Sequence, residues 1–127
     1  MIWWHEAQFA LWNRSNLLDR TLGWYEKAEP IARQIAQRQG FDGVRWMKMT
    51  DPSGTEAPSK VGSFLIWQQP HLIYLAELLY RADPTKEVLE KYNRLVQETA
   101  EFMYSFATYD ELEAVSYTHL RAHETAA

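Results

Sequence analysis

Pro70-His71-Leu72-Ile73-Tyr74-Leu75-Ala76-Glu77-Leu78-Leu79-Tyr80-Arg81 is apolar at almost every position. Proline is tolerated in the first turn of a helix, where its missing N–H has no partner to lose, so Pro70 reads as the start of a helix running to about Arg81. Only Glu77 interrupts its apolar circumference, which predicts a helix surrounded by protein. The next segment has a different pattern. Asp83-Pro84 places a capping residue before a proline at the first helical position. From there to about Phe106, Val88, Leu89, Tyr92, Leu95, Val96, Thr99, Phe102, Met103 and Phe106 form one stripe. Lys86, Glu87, Glu90, Lys91, Arg94, Gln97, Glu98 and Glu101 form the solvated face. An enclosed helix followed by an amphipathic one is the alternation of a toroid of concentric helices. A simple up-down bundle makes every helix amphipathic.

Upstream, Trp3 to Asn13 reads as a short helix whose Trp4, Ala7, Phe9, Ala10, Leu11 and Trp12 cover most of its surface, predicting burial. Ser15 or Asn16 serves as N-cap of a helix from Leu17 to about Tyr25. Pro30 is uncomfortable in a helix interior, so a break is expected near Lys27–Ala28, with a further helix from about Glu29 to Gln39. Gly40 supplies its stop. From Phe41 to Ser63 the chain is irregular, punctuated by Gly43, Pro52, Gly54, Pro58 and Gly62. Asp51-Pro52-Ser53-Gly54 is a turn with proline at its second position, and Val44 to Met49 has the pattern of a short strand. A loop of this length inside a domain is uncommon and often functional.

The chain has 127 residues, 46% hydrophobic and 24% charged, which suits one globular domain with a real core. A net charge of −4 without a Lys/Arg cluster argues against a nucleic-acid binder. No apolar run reaches the length of a bilayer crossing, so no membrane partner is expected. The opening Met-Ile-Trp-Trp-His-Glu lacks the basic and apolar regions of a signal peptide. Cysteine is absent, which excludes disulfides and thiolate metal sites. Aromatic residues make up 14%, with six tryptophans, a surplus that serves equally a core or a sugar-binding surface.

Three clusters carry side chains suited to sugars, whose apolar faces lie on aromatic rings and whose hydroxyls are satisfied by amides and charged groups. The first is Trp3-Trp4-His5-Glu6. Glu6 there is either a carboxylate favoured by the helix dipole or, with His5 and Trp4, part of a substrate wall. The second is Arg45-Trp46-Met47-Lys48-Met49-Thr50. Alternation puts Trp46, Lys48 and Thr50 on one side, with Trp46 and Lys48 read either as a ring-and-cation contact or as a core tryptophan beside an exposed base. The third is Trp67-Gln68-Gln69-Pro70-His71. Two consecutive amides before a buried helix must be satisfied, by local backbone or by a polar pocket, and the pocket is favoured. His5 and His71 have no partner at i+3 or i+4, so neither metal nor cofactor is expected. Glu56 in the loop and Glu77 on the apolar helix are the nearest things to catalytic carboxylates, and each also reads as a structural or solvated group. No carboxylate pair of the kind glycosidases use stands out, so the catalytic residue is unknown.

With these residues in view, the chain resembles the six-hairpin glycosidases, nearest to the maltose- and trehalose-phosphorylase group and related bacterial glycosyl hydrolases. The resemblance runs from Met1 to about Asp110. Its blocks are Trp3 to Trp12; Ala32-Arg33 through Gly40-Phe41-Asp42-Gly43-Val44-Arg45-Trp46 to Thr50, Gly54 and Glu56; and His71 to Tyr80 with Glu98-Thr99-Ala100-Glu101-Phe102. It implies an all-α partial (α/α)6 toroid of helical hairpins with one long irregular loop. It also implies an oligosaccharide or glycoside substrate, bound by Trp4, His5, Glu6, Trp46, Lys48, Trp67, Gln68, Gln69 and His71. The family's first block holds the sugar with a Trp-acidic pair, whereas here His5 intervenes before Glu6. Its catalytic glutamate lies beyond the third block, so the resemblance implies a fragment, residues 1–112, that needs the rest of the parent domain for activity. Residues 113–127, with His119 and His123 at i+4 spacing, fit no helical pattern and read as a non-native read-through tail. The alternative is a non-enzymatic helical module that binds a protein partner through its aromatic surface.

Overall fold

A computed structural model of the chain describes residues 2–110 and 115–118. Among the described residues the body is all-α, built from α1 (Ile2–Leu11), α2 (Ser15–Arg38), α3 (His71–Ala82) and α4 (Lys86–Phe106). A single 3₁₀ turn, Gly62–Phe64, falls in the long connection between α2 and α3. After α4, β1 (Ala107–Asp110) pairs antiparallel with β2 (Val115–Thr118), Ala107 opposite Thr118. β2 falls in the tail set aside as read-through; residues 119–127 of that tail, His119 and His123 included, lie outside the described residues.

The core is a stripe on each of three helices plus one piece of loop. Leu18, Leu22, Tyr25, Ala28 and Ala32 of α2 meet Leu72, Leu75, Ala76 and Leu79 of α3 and Tyr92 and Leu95 of α4, with Val44 and Trp46 filling the space between. A smaller cluster gathers Ala36, Phe102 and Phe106 against Phe41 and Ile66. The α4 stripe is the expected one: Tyr92, Leu95, Thr99, Phe102 and Phe106 are buried, with Leu89 and Met103 at its open edges.

The predicted break at Lys27–Ala28 does not occur; α2 runs unbroken through Pro30. Pro30 is exposed, so its missing N–H leaves a carbonyl that water can satisfy. The buried stripe from Leu18 to Ala36 continues past it on the opposite side and offsets the cost. Gly40 ends the helix as expected, at φ +82°. Its N–H reaches the Gln37 carbonyl and the Phe41 N–H reaches that of Ala36, the paired bonds of a Schellman stop. Two caps differ from expectation. Arg14, not Ser15 or Asn16, occupies the N-cap of α2 and makes no side-chain capping bond. Thr85 caps α4, its hydroxyl accepting from Val88 N–H, while Asp83 closes α3.

Val44–Met49 forms no strand; the loop contains only a bridge between Thr50 and Glu56. Its backbone spends its hydrogen bonds on helices instead. Val44 N–H donates to the Glu98 carbonyl of α4 at 3.1 Å and Arg45 N–H to the Ala32 carbonyl of α2 at 3.1 Å. Gly43 makes this approach possible, because its Cα lies against the α4 backbone where a Cβ would overlap the Glu98 carbonyl. The Asp51-Pro52-Ser53-Gly54 turn forms as read, closed by Gly54 N–H to the Asp51 carbonyl.

Neither apolar helix is enclosed. In α1 no residue is buried: Trp3, Ala7, Phe9 and Ala10 lie on the core, while Trp4, Leu11 and Trp12 are 70%, 84% and 65% exposed. α3 buries Leu72, Leu75, Ala76 and Leu79 and leaves Tyr74 and Glu77 in solvent. Among the described residues only one side of each is covered; the open side of α1 carries Trp4 and Leu11, that of α3 Tyr74, Glu77 and Arg81.

Candidate functional site

The site lies where the turn before α3 meets the loop 44–50 and the start of α1. His71 opens α3 behind Pro70, which sits at the N-cap. Its imidazole stacks on the Trp3 indole, centroids 5.7 Å apart at 27°, and takes the Trp67 ring edge-on at 5.3 Å. Trp4 touches Trp3 edge-to-face at 5.1 Å. Burial among these rings pushes the His71 pKa below its usual value, so the imidazole is neutral near neutral pH.

Trp67, Gln68 and His71 then share a cleft of about 70 Å³ with Trp46, Met47, Lys48 and Thr50 of the loop, and with Ile2 and the Trp24-Tyr25 pair of the helices. Segments remote in sequence thus converge on one mouth, and every cluster marked in the sequence reaches it or its border. Comparison with family models, with curated proteins and with solved structures finds no match.

The residues in the cleft divide into floor and rim. Trp46 is floor: it is 5% exposed, its ring meets Tyr25 edge-on at 4.8 Å, and its Nε1 donates to Thr99 Oγ1 at 3.0 Å. Gln69 is further in still, 1% exposed. Its Oε1 accepts from Trp46 N–H at 2.8 Å and its Nε2 donates to the Val44 carbonyl at 2.6 Å. Each end of the amide is held by backbone and the side chain is closed off from solvent, so Gln69 shapes the site from within and is out of reach of a sugar hydroxyl. That corrects its assignment as a binding residue, and Trp46 likewise offers no open ring face. Gln68 is different. Its Nε2 donates to the Trp46 and Leu65 carbonyls, both at 3.0 Å, while its Oε1 is buried without a partner.

The rim holds Trp67, 49% exposed, and Lys48, also exposed, which makes no hydrogen bond or ion pair among the described residues. His5 is exposed on α1 and does not line the cleft. Glu6 borders it indirectly, accepting from Thr21 Oγ1 at 2.7 Å. Burial, and then the nearby Glu6 charge, push Tyr25 up to about 12, so that phenol stays protonated. Glu77 pairs with Arg81 in solvent and Glu56 with Arg38 across the loop. Neither reaches the cleft. Among the described residues no three His, Cys, Asp or Glu side chains gather as a metal site.

Sequence reading passed over Trp3 as the His71 partner and Trp24 as a wall. Trp24 is held by Nε1 to the Pro52 carbonyl at 2.9 Å, a tertiary bond with no local signal beyond the adjacent Trp24-Tyr25 pair. It also passed over a wider hollow of about 830 Å³ between α2 and α4, bordered by Phe41, Gln97, Glu101 and Tyr104. The Arg33 and Glu98 in its wall are paired with each other at 2.9 Å.

Proposed function

We propose that the chain is part of the catalytic toroid of a carbohydrate-active enzyme, a glycoside hydrolase or phosphorylase, and that it supplies part of the sugar pocket's wall. The observation carrying this reading is the convergence of Lys48, Trp67, Gln68 and His71 from separate segments onto one cleft, with Trp3 stacked on His71 at its border. Half-exposed indole and imidazole rings beside an unpartnered amide oxygen and a free ammonium suit a sugar's apolar face and hydroxyls. Cleavage of a glycosidic bond needs a proton donor together with a second carboxylate or an external acceptor. No Asp or Glu lines this cleft. The acid therefore belongs to the rest of the parent domain, and this chain alone binds without cleaving. The uncovered apolar side of α1 fits the same picture, as a face that a neighbouring hairpin of a toroid would cover.

A second reading, a helical module that binds a protein partner, is favoured by one feature: the exposed Trp4, Leu11 and Trp12 side of α1. Titration with mono- and oligosaccharides, followed by the Trp67 indole and His71 ring NMR signals, separates the two. The enzyme reading expects saturable shifts at both residues that Trp67→Ala abolishes without unfolding the chain. No response to any sugar at millimolar concentration defeats it in favour of the partner surface.

A further inference from the structure

Resting on the sugar-pocket reading, we infer that the cleft takes a sugar bearing an anionic group, with Lys48 meeting the anion and Gln68 Oε1 accepting from a hydroxyl. Of the residues lining the cleft, Lys48 carries the only fixed charge, and Thr50, Gln68 and His71 are the other polar side chains apart from the Trp and Tyr tips. Elsewhere on the molecule Arg33, Arg38, Arg81, Lys86, Lys91 and Arg94 each meet a carboxylate. Lys48, like Arg14, Arg20, Lys27, Arg45 and Lys60, meets none among the described residues, and of these it alone lines the cleft. The carboxylate bordering the cleft, Glu6, is held by the Thr21 hydroxyl.

The amide supplies the second contact and fixes its polarity. Gln68 Nε2 is tied to two carbonyls, which sets the amide's orientation and leaves only an acceptor, Oε1, without a partner. A buried acceptor left unsatisfied costs free energy that a ligand hydroxyl recovers. The cleft's size limits the ligand to part of one ring inside, with the remainder over Trp67. The chain's net charge of −4 gives no general attraction for anions, so the preference is local to Lys48.

The test titrates the full chain with glucose, glucuronate, glucose 6-phosphate and inorganic phosphate, reading the Trp67 indole signal. One or both sugar anions are expected to bind about tenfold tighter than glucose, as a charge-assisted hydrogen bond in a partly desolvated site implies, and to lose that margin in high salt. The uronate and phosphate arms tell which anion the cleft prefers. Lys48→Met, at an exposed position, should bring the sugar anions down to the level that glucose shows with the same variant, whereas Lys48→Arg should keep their margin. Equal affinity for glucose and both sugar anions overturns the inference and leaves the sugar pocket standing. Inorganic phosphate binding as tightly as the sugar anions also overturns it, since the ring then contributes nothing. No binding by any sugar ends both this inference and the reading beneath it.

Discussion

Gln69 holds Trp46 by its backbone, accepting the Trp46 N–H at 2.8 Å while donating to the Val44 carbonyl two residues earlier at 2.6 Å. One buried side chain thus takes the role that a neighbouring strand would play for an extended segment. It lets loop 44–46 lie inside the core with each backbone N–H paired, Val44 to the Glu98 carbonyl, Arg45 to that of Ala32 and Trp46 to Gln69.

Replacing Gln69 by Leu should destabilise the chain by about 2–4 kcal/mol, because a buried donor and a buried acceptor are orphaned together. Urea unfolding at neutral pH gives the number. A loss under about 0.5 kcal/mol, the range of an ordinary surface change, would show that the loop has other ways to satisfy itself.

Gly43 has φ +66°, and a Cβ there would lie 2.7 Å from Phe102 N and closer still to the Glu98 carbonyl. Gly43→Ala therefore strains the backbone and forces loop and α4 apart. The expected cost is about 2–4 kcal/mol, combining an unfavourable left-handed residue with overpacking. Thermal unfolding should show it as a clear drop in Tm, and the Val44 amide should lose protection from hydrogen exchange.

Pro30 predicts a gain. It sits exposed inside continuous α2, so Pro30→Ala restores one helical hydrogen bond without touching the core. A stabilisation of about 1–3 kcal/mol is expected by denaturant titration. A neutral or destabilising outcome would mean the helix is interrupted there after all.

Acid should unfold the chain through Glu29 and Asp19. Burial pushes the Glu29 carboxyl up, but hydrogen bonds from Arg94 and Arg33 outweigh it and hold the pKa below its usual value. Asp19 behaves the same way, with Lys91 and Tyr92 as its donors. A carboxyl depressed in the folded state stabilises above its unfolded pKa, and that contribution disappears as pH falls through the folded one. Urea midpoints should thus be flat near neutrality and fall below about pH 4.5. Glu29→Gln should be less stable at neutral pH and show a shallower acid slope; an unchanged slope would remove Glu29 from the account.

What could be read from the sequence was what periodicity or local chemistry writes down. The α4 stripe follows a 3.6-residue period with charges opposite, and it folded as read. Gly40 and the Asp51–Gly54 turn are signals carried by the residues that execute them. The failures share another cause. Pro30 looked like a break because its cost is local while the compensation, a buried stripe on the far side, spans the helix. Trp46 was open to two readings, sugar contact or core tryptophan, and Gln69 looked like a pocket residue, because an indole and an amide are equally at home in a pocket or a core. Only their partners, Thr99, Val44 and the Trp46 backbone, distinguish the two, and those lie far off in sequence. In α1 and α3 an apolar circumference predicted enclosure, but composition states what a helix tolerates around it, not what is there. Trp3, His71 and Trp67 come from two of the three clusters marked in the sequence; which tryptophan of the Trp3-Trp4 pair would face inward was not legible there.

The loop 43–46 is stitched at once to α2 through Ala32 and to α4 through Glu98. It works as a spacer wedged between two beams, and its last residue, Trp46, also makes the bottom of the cleft. Variation there would travel into the scaffold and be purged with it. New ligand preferences can accumulate cheaply only along the margin, at Lys48 and Trp67, where a side chain can change without any helix having to move.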